Sequence, residues 1–302
     1  HADDFKTKAE AAFQPVVKQY DIPGLIVGVT RNGKHEFYAT GMASKADKRP
    51  VSPDTLFELG SISKLFNATL AGLAEGQGRL SLNDPVSGHF PDLKGSAFDR
   101  ISLMDLATHQ TSGLPLQVPD EVGDDADLMR WLQDWQPIPQ PGHERSYSNI
   151  SIGLLGRATA NAFGQDYATA VRDHLLQPLG LDSTHVNVPS AQMSDYAFGY
   201  TRDTDQPVRV NPGVLDAEAY GMKSSVTDML HFLQVNLGDV EVSADIAAAV
   251  ARAGEGQTKA QHFTQAMIWQ RDDWPVSRDA LLAGNSQQMV LESTPATRLD
   301  QP

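Results

Sequence analysis

A serine and a lysine three residues apart, Ser61 and Lys64, have the types and the spacing for nucleophilic chemistry. A serine hydroxyl is a poor nucleophile at neutral pH and needs a neighbouring base to take its proton. Apolar residues recur from Ile62 onward at close to a 3.6-residue period, which predicts a helix that starts at Ser61. Residues three apart on a helix share a face, so the Lys64 amine would lie beside the Ser61 hydroxyl. The free backbone N–H groups at a helix start would also favour developing negative charge.

The same Ser-x-x-Lys spacing also fits a helix-capping serine followed by a solvated lysine. A second pattern, Tyr147-x-Asn149, lies on a loop just before a helix predicted over residues 150–163. Ser148 or Asn149 is a natural N-cap for that helix, so Tyr147 would be anchored on both sides. Each pattern occurs once in the chain, and the two together are far more specific than either alone.

The composition of the 302-residue chain argues against several kinds of function. Its formal net charge of −14 argues against nucleic acid binding, which depends on Lys and Arg neutralising phosphates. No apolar run approaches the roughly 20 residues of a membrane span. The absence of cysteine excludes disulfides and thiolate metal sites. The nine histidines lack the His-x-x-x-His spacing of a helical zinc site, so we expect neither a metal nor another cofactor.

The surrounding elements indicate an antiparallel sheet flanked by helices, together with a mainly helical insertion. Two strand-like runs, 25–30 and 35–40, are joined by Asn32-Gly33, which is a strong hairpin signal. Apolar periodicity predicts helices at 3–19, 101–109, 166–176, 226–237 and 243–253, and short apolar runs predict strands at 267–270 and 288–291. The stretch 181–222 has little periodicity, as long functional loops do.

Together with these motifs, several longer segments resemble the class C β-lactamases of the serine β-lactamase and penicillin-binding protein family. The resemblance covers essentially the whole chain. The segments that carry it occur in the family's order and are Phe57–Lys64, Asp105–Thr108, Ser112–Gln117, Tyr147–Ile150 and Asp216–Lys223. The Ser-Asp-Asn pattern of class A enzymes is replaced here by Tyr147-Ser148-Asn149.

The resemblance implies an α/β (α+β) fold of the β-lactamase/transpeptidase type. We expect an α/β domain formed by residues 1–78 and 275–302, with a mainly helical domain inserted over residues 79–274. The family's third motif, Lys-Thr-Gly or a relative on a strand near the C-terminus, is not found in this sequence. We therefore expect the last part of the α/β domain to be missing from the chain.

The resemblance also implies hydrolysis of the β-lactam amide bond through a serine acyl-enzyme, with resistance to cephalosporins and penicillins as the result. Ser61 would attack the lactam carbonyl, and its backbone N–H would supply half of the oxyanion hole. Lys64 and Tyr147 would relay the proton to the leaving ring nitrogen. Tyr147, its acidity raised by Lys64, would then help to activate the deacylating water.

For substrate binding, the resemblance assigns Gln117 and Asn149 to the amide side chain of the β-lactam and Tyr220 to the border of the acyl pocket. From the residues alone, Asn149 fits a helix cap equally well, and Gln117 fits an ordinary surface residue. His109 is expected to be structural.

We expect a monomeric periplasmic enzyme, secreted with its signal peptide already removed, whose partner is a small-molecule β-lactam. Two alternatives of the same fold are a DD-peptidase and an esterase. An alternative of another class is a non-catalytic β-lactam-binding module in which Ser61 is acylated or merely occupied and is never regenerated.

Overall fold

A computed structural model describes residues 2–139 and 144–299. The helices are α1 (Ala2–Tyr20), α2 (Ser63–Gly76), α3 (Leu103–Ala107), α4 (Asp125–Asp134), α5 (Asn149–Phe163), α6 (Tyr167–Val171), α7 (Asp216–Ala219), α8 (Val226–Leu237), α9 (Ala244–Gly254), α10 (Arg278–Gly284) and α11 (Gln287–Leu291). The strands are β1 (Gly24–Arg31), β2 (Lys34–Ser44), β3 (Arg49–Pro50), β4 (Phe57–Glu58), β5 (Glu144–Arg145), β6 (Thr184–His185), β7 (Gly199–Tyr200), β8 (Pro207–Val208), β9 (Lys223–Ser224), β10 (Thr258–Ala260), β11 (Thr264–Gln265), β12 (Gln270–Arg271) and β13 (Thr294–Arg298). This mixture of helices and antiparallel strands confirms the predicted fold class.

The chain forms two compact units, each assembled from separate stretches of sequence. The first unit comprises His1–Leu59, Leu176–Asn211 and Gly221–Val242. The second unit comprises Gly60–Leu175, Pro212–Tyr220 and Ser243–Pro302. The domain limits expected from the sequence stay a prediction.

The first unit contains the predicted hairpin. Strands β1 and β2 pair antiparallel, with Gly24 opposite Gly41 at the open end. Asn32 and Gly33 connect them with φ angles of 52° and 78°, the positive values that a two-residue type I′ turn requires. Helix α1 packs on β2 and α8 packs on β1, so both predicted helices cover the hairpin.

The stretch 181–222 runs through both units and contains short elements rather than a structureless loop. In the first unit, β6 pairs with β9, and β7 pairs with β8. In the second unit, α7 packs against α2 and α5.

Helix α2 is the centre of the second unit and packs against α5, α7 and α9. The approach of α9 is close, because a Cβ added at Gly72 would lie 3.0 Å from the Ala249 carbonyl oxygen.

The predicted helix start at Ser61 is corrected by two residues. Gly60–Ile62 forms a 3-10 turn, with Gly60 at a φ of 55°, and the α-helix itself begins at Ser63. Glycine adopts this left-handed conformation without strain, which allows the chain to turn into the helix.

The second unit also contains a five-stranded sheet in the order β12-β11-β10-β13-β5. Of the two strands that the sequence predicts near the C-terminus, the one at 288–291 is wrong, and the one at 267–270 meets a strand only at Gln270, the first residue of β12. Residues 266–269 form the turn between β11 and β12, and residues 287–291 form helix α11. This helix forms because the Ser286 hydroxyl caps it by accepting from the Met289 N–H, and a short apolar run fits a buried helix turn as well as a strand.

Candidate active site

The predicted nucleophile and base lie together at the N-terminal end of α2. The Lys64 amine donates a hydrogen bond of 2.9 Å to the Ser61 hydroxyl oxygen. A second hydrogen bond of 2.8 Å runs from the amine to the carbonyl oxygen of Ala219, the last residue of α7. Ser61 is exposed, whereas Lys64 is fully buried. The alternative of a solvated lysine is therefore wrong for this residue.

Burial changes the protonation of the Lys64 amine. Loss of water around the ammonium lowers the pKa of Lys64 from 10.5 to about 7. An ordinary lysine is fully charged at neutral pH and cannot accept a proton. Lys64 is about half neutral there, so its amine can act as a base toward the Ser61 hydroxyl.

Tyr147 lies beside Ser61 and Lys64 and forms a three-residue cluster with them. The side chain of Ser61 acts on its hydroxyl and favours the phenolate, and the Lys64 amine lies 5.0 Å from the centre of its ring. Burial nevertheless raises the pKa of Tyr147, although the Ser61 side chain and the charge of Arg145 act in the opposite direction. The expectation that Lys64 increases the acidity of Tyr147 is therefore not met, because desolvation of the phenolate is the larger effect.

The segment around Tyr147 is fixed by the sheet on one side and by α5 on the other. Arg145, two residues earlier, pairs with Thr294 of β13, and its buried guanidinium donates to the Gln265 side chain and the Met289 carbonyl at 2.9 Å each. On the other side, Ser148 is the N-cap of α5. The catalytic candidate is thus held between a strand and a helix start.

Asn149 and Gln117 are brought together as well. The Asn149 side-chain amide donates a hydrogen bond of 3.0 Å to the Gln117 side-chain oxygen. Since Ser148 is the N-cap, Asn149 is the first residue of α5 and its side chain is free for another role. Its Oδ1 atom is buried without a hydrogen-bond partner among the described residues. The structure therefore leaves one acceptor of this side chain unsatisfied.

In the described part of the chain, no hydrogen bond links the Tyr220 side chain to Ser61, Lys64 or Tyr147, and none links the side chains of Asn149 and Gln117 to those three residues. Tyr220 is half-buried and follows Ala219, whose carbonyl holds the Lys64 amine. Sequence reasoning missed Ala219, because a backbone acceptor carries no residue-type signal. It also missed Arg145, which lies two residues before the Tyr147 motif and was not singled out.

Residues 2–139 and 144–299 lack the side-chain clusters and the helices that a metal centre or a membrane span would need. In these two ranges, no group of three or more His, Asp or Glu side chains is arranged to hold a metal ion. None of the helices there combines the length and apolar composition that a membrane crossing requires.

Known proteins with similar sequences are beta-lactamases. The sequence model of the family described as Beta-lactamase matches residues 9–291. The chain belongs to the beta-lactamase family. A beta-lactamase of Pseudomonas fluorescens is 42% identical over 291 residues, which cover 96% of this chain and 81% of that protein.

Solved structures of relatives agree with this beta-lactamase assignment. A class C beta lactamase from Rhodobacter sphaeroides superposes with a TM-score of 0.94 at 54% identity, covering 97% of this chain and 83% of the other. A D-alanine carboxypeptidase AmpC from Burkholderia cenocepacia superposes with a TM-score of 0.93 at 40% identity, covering 99% and 83%. The resemblance to class C β-lactamases is confirmed, and the reaction of this family member is β-lactam hydrolysis.

Proposed function

We propose that this β-lactam hydrolase is a class C serine enzyme in which Ser61 forms the acyl-enzyme. The observation that carries the proposal is the 2.9 Å hydrogen bond from the buried Lys64 amine to the Ser61 hydroxyl, with the Tyr147 ring 5.0 Å from the same amine. A serine placed between an amine with a pKa of about 7 and a neutral phenol has a base and a proton relay in contact with it.

In the proposed acylation, the neutral Lys64 amine takes the Ser61 proton as Oγ bonds to the lactam carbonyl carbon. The oxyanion develops near the Ser61 backbone N–H and the start of α2, where the helix dipole is favourable. When the lactam C–N bond breaks, the proton from Lys64 reaches the ring nitrogen through the Tyr147 hydroxyl. The product of this half-reaction is an ester of Ser61 with an opened ring.

In the proposed deacylation, the Lys64 and Tyr147 pair takes a proton from water, and the hydroxide adds to the ester carbon. Collapse of this intermediate releases the penicilloate- or cephalosporoate-type acid and returns the proton to Ser61. Tyr147 acts as a neutral phenol in both halves, because burial raises its pKa.

Substrate recognition is proposed to use Asn149 and Gln117, with Tyr220 at the border of the acyl pocket. The unpartnered Asn149 oxygen would accept from the side-chain amide N–H of a cephalosporin or penicillin. An N–H donor satisfies this buried acceptor, which supports amide-bearing β-lactams over analogues without the amide. We further propose that the enzyme is a monomer located in the periplasm.

Intact mass followed over time after mixing with a cephalosporin tests the proposal. An adduct of the mass of the β-lactam should appear and then decay in the parent protein. It should be absent in Ser61→Ala and unchanged in Ser190→Ala, a matched control at an exposed serine. An adduct that persists would instead identify a DD-peptidase-like or binding protein. Hydrolysis of short esters without any cephalosporin turnover would identify an esterase.

A further inference from the structure

His109 lies just beyond the end of α3 in an unusual backbone conformation. Its φ angle is 60°, in the left-handed region that residues other than glycine adopt uncommonly, although histidine does so more often than most. The residue is only 1% exposed. A buried residue kept in a strained backbone conformation indicates that its particular contacts matter.

Three contacts of His109 lie on Tyr147 and its two neighbours in sequence. The backbone carbonyl of His109 accepts a hydrogen bond of 2.8 Å from the Ser146 N–H. Its ring atom Nδ1 accepts a hydrogen bond of 3.2 Å from the Ser148 N–H. The imidazole lies against the Tyr147 ring, with the ring centres 4.6 Å apart and the planes inclined by 41°. One residue thus holds the backbone on both sides of Tyr147 and also packs on its ring.

These contacts require a neutral imidazole. Because Nδ1 accepts from a backbone N–H, the single ring proton must be on Nε2. The positively charged groups that face this ring are Lys64 and Arg145, and together with burial they hold the pKa of His109 well below 6.5. The ring therefore stays an uncharged acceptor and packing surface across the neutral pH range.

We propose that His109 is a positioning residue for Tyr147, which sets the direction in which the phenol hydroxyl points toward Ser61. The inference rests on the proposed function, since it assigns His109 a role only through the Tyr147 hydroxyl. A hydroxyl that is displaced by about 1 Å from its productive position can cost about 100-fold in rate. Loss of the ring should therefore lower kcat by about 10- to 100-fold and change KM by less than about threefold.

His109→Asn is the variant that isolates the ring. Asparagine tolerates the left-handed backbone and keeps a side-chain oxygen able to accept from the Ser148 N–H, so mainly the contact with Tyr147 is lost. His109→Gly relieves the backbone and removes both the ring and the acceptor, so it provides a second variant should the first fail to fold. Thermal melting of each variant checks that it is folded at the assay temperature.

The deciding experiment is a double-mutant cycle with Tyr147→Phe, read as kcat for a chromogenic cephalosporin. We expect the loss from His109→Asn or His109→Gly in the parent protein to shrink to less than about threefold when Tyr147→Phe is already present. An equal loss in both backgrounds would overturn the inference, because a general structural role acts independently of the hydroxyl. If Tyr147→Phe alone leaves kcat unchanged, the proposed role of Tyr147 fails instead, and His109 then has no hydroxyl to position.

Discussion

The low pKa of the Lys64 amine predicts that kcat/KM falls steeply as the pH is lowered below 7. The ammonium is buried and its two hydrogen-bond acceptors, the Ser61 hydroxyl and the Ala219 carbonyl, are uncharged. The fall of the pKa from 10.5 to about 7 corresponds to roughly 5 kcal/mol against the charged form, at about 1.36 kcal/mol per pKa unit. With a pKa of about 7, about nine-tenths of Lys64 is neutral at pH 8, and about one-hundredth is neutral at pH 5. If the neutral amine is the base, kcat/KM should fall about 90-fold over this range.

The measurement is the initial rate of hydrolysis of a chromogenic cephalosporin at low substrate concentration from pH 5 to pH 9. At low substrate concentration kcat/KM reports the free enzyme, in which the Lys64 amine is buried and hydrogen-bonded to Ser61 and Ala219. Lys64→Arg supplies the comparison, because arginine keeps its charge and cannot accept the proton. Its residual kcat/KM should be lower by at least about 100-fold and should lack the limb near pH 7.

Tyr147→Phe separates the two candidate bases. It should lower the plateau of kcat/KM while leaving the limb near pH 7, since a phenylalanine side chain cannot relay a proton but Lys64 still titrates. A flat profile from pH 5 to pH 8 in the parent protein would refute the reasoning. So would a limb that disappears in Tyr147→Phe and is kept in Lys64→Arg, because the phenol would then be the titrating base.

Three further predictions concern stability and substrate binding. Lys64→Met should be more stable than the parent by about 1–3 kcal/mol at pH 7, because unfolding lets Lys64 take up a proton that it holds only weakly when buried. In chemical denaturation the difference should shrink as the pH rises toward about 11, where Lys64 is mostly neutral in the unfolded chain as well. Arg157→Met should destabilise the protein by about 2–3 kcal/mol, because it leaves the buried Glu218 carboxylate without its 2.9 Å partner. The control Arg172→Met removes an exposed ion pair and should cost less than about 0.5 kcal/mol. Asn149→Ala should raise KM by about 5- to 20-fold for cephalosporins with an amide side chain and leave KM for an analogue without the amide unchanged, since one hydrogen bond of about 1–2 kcal/mol is lost.

The elements that sequence predicts well are those fixed by local signals. The Asn32-Gly33 turn demands positive φ angles, and helices with long apolar faces, such as α1 and α8, are found close to where periodicity places them. Short apolar runs are ambiguous, so the strand predicted at 288–291 is a helix and the true strand lies at Thr294–Arg298. That strand has Pro295 in it and little apolar content, and it forms because β5 and β10 pair with its two sides.

In the candidate site, residue types and their spacing predict where side chains lie, whereas their protonation depends on the folded environment. The positions of Ser61 and Lys64 follow from their spacing on one turn of backbone, and the structure places the Lys64 amine 2.9 Å from the Ser61 hydroxyl. Their protonation does not follow from spacing, because it depends on how much water remains around each group after folding. Burial alone reverses the expected direction for Tyr147, whose pKa is raised rather than lowered.

The protonation states around Tyr147 explain why a lysine rather than an arginine is suited to the base position. Burial acts on both cations that face the phenol ring, and it lowers the pKa of Arg145 only to about 10. Arg145 therefore remains charged at neutral pH and supplies the fixed positive charge near the site, while Lys64 gives up its proton there. With His109 and Tyr147 both neutral, Lys64 is the group of this cluster that changes charge near pH 7. An arginine in place of Lys64 would stay charged and could not act as a base. The chemistry of the cluster therefore depends on having a lysine at this position and an arginine at position 145.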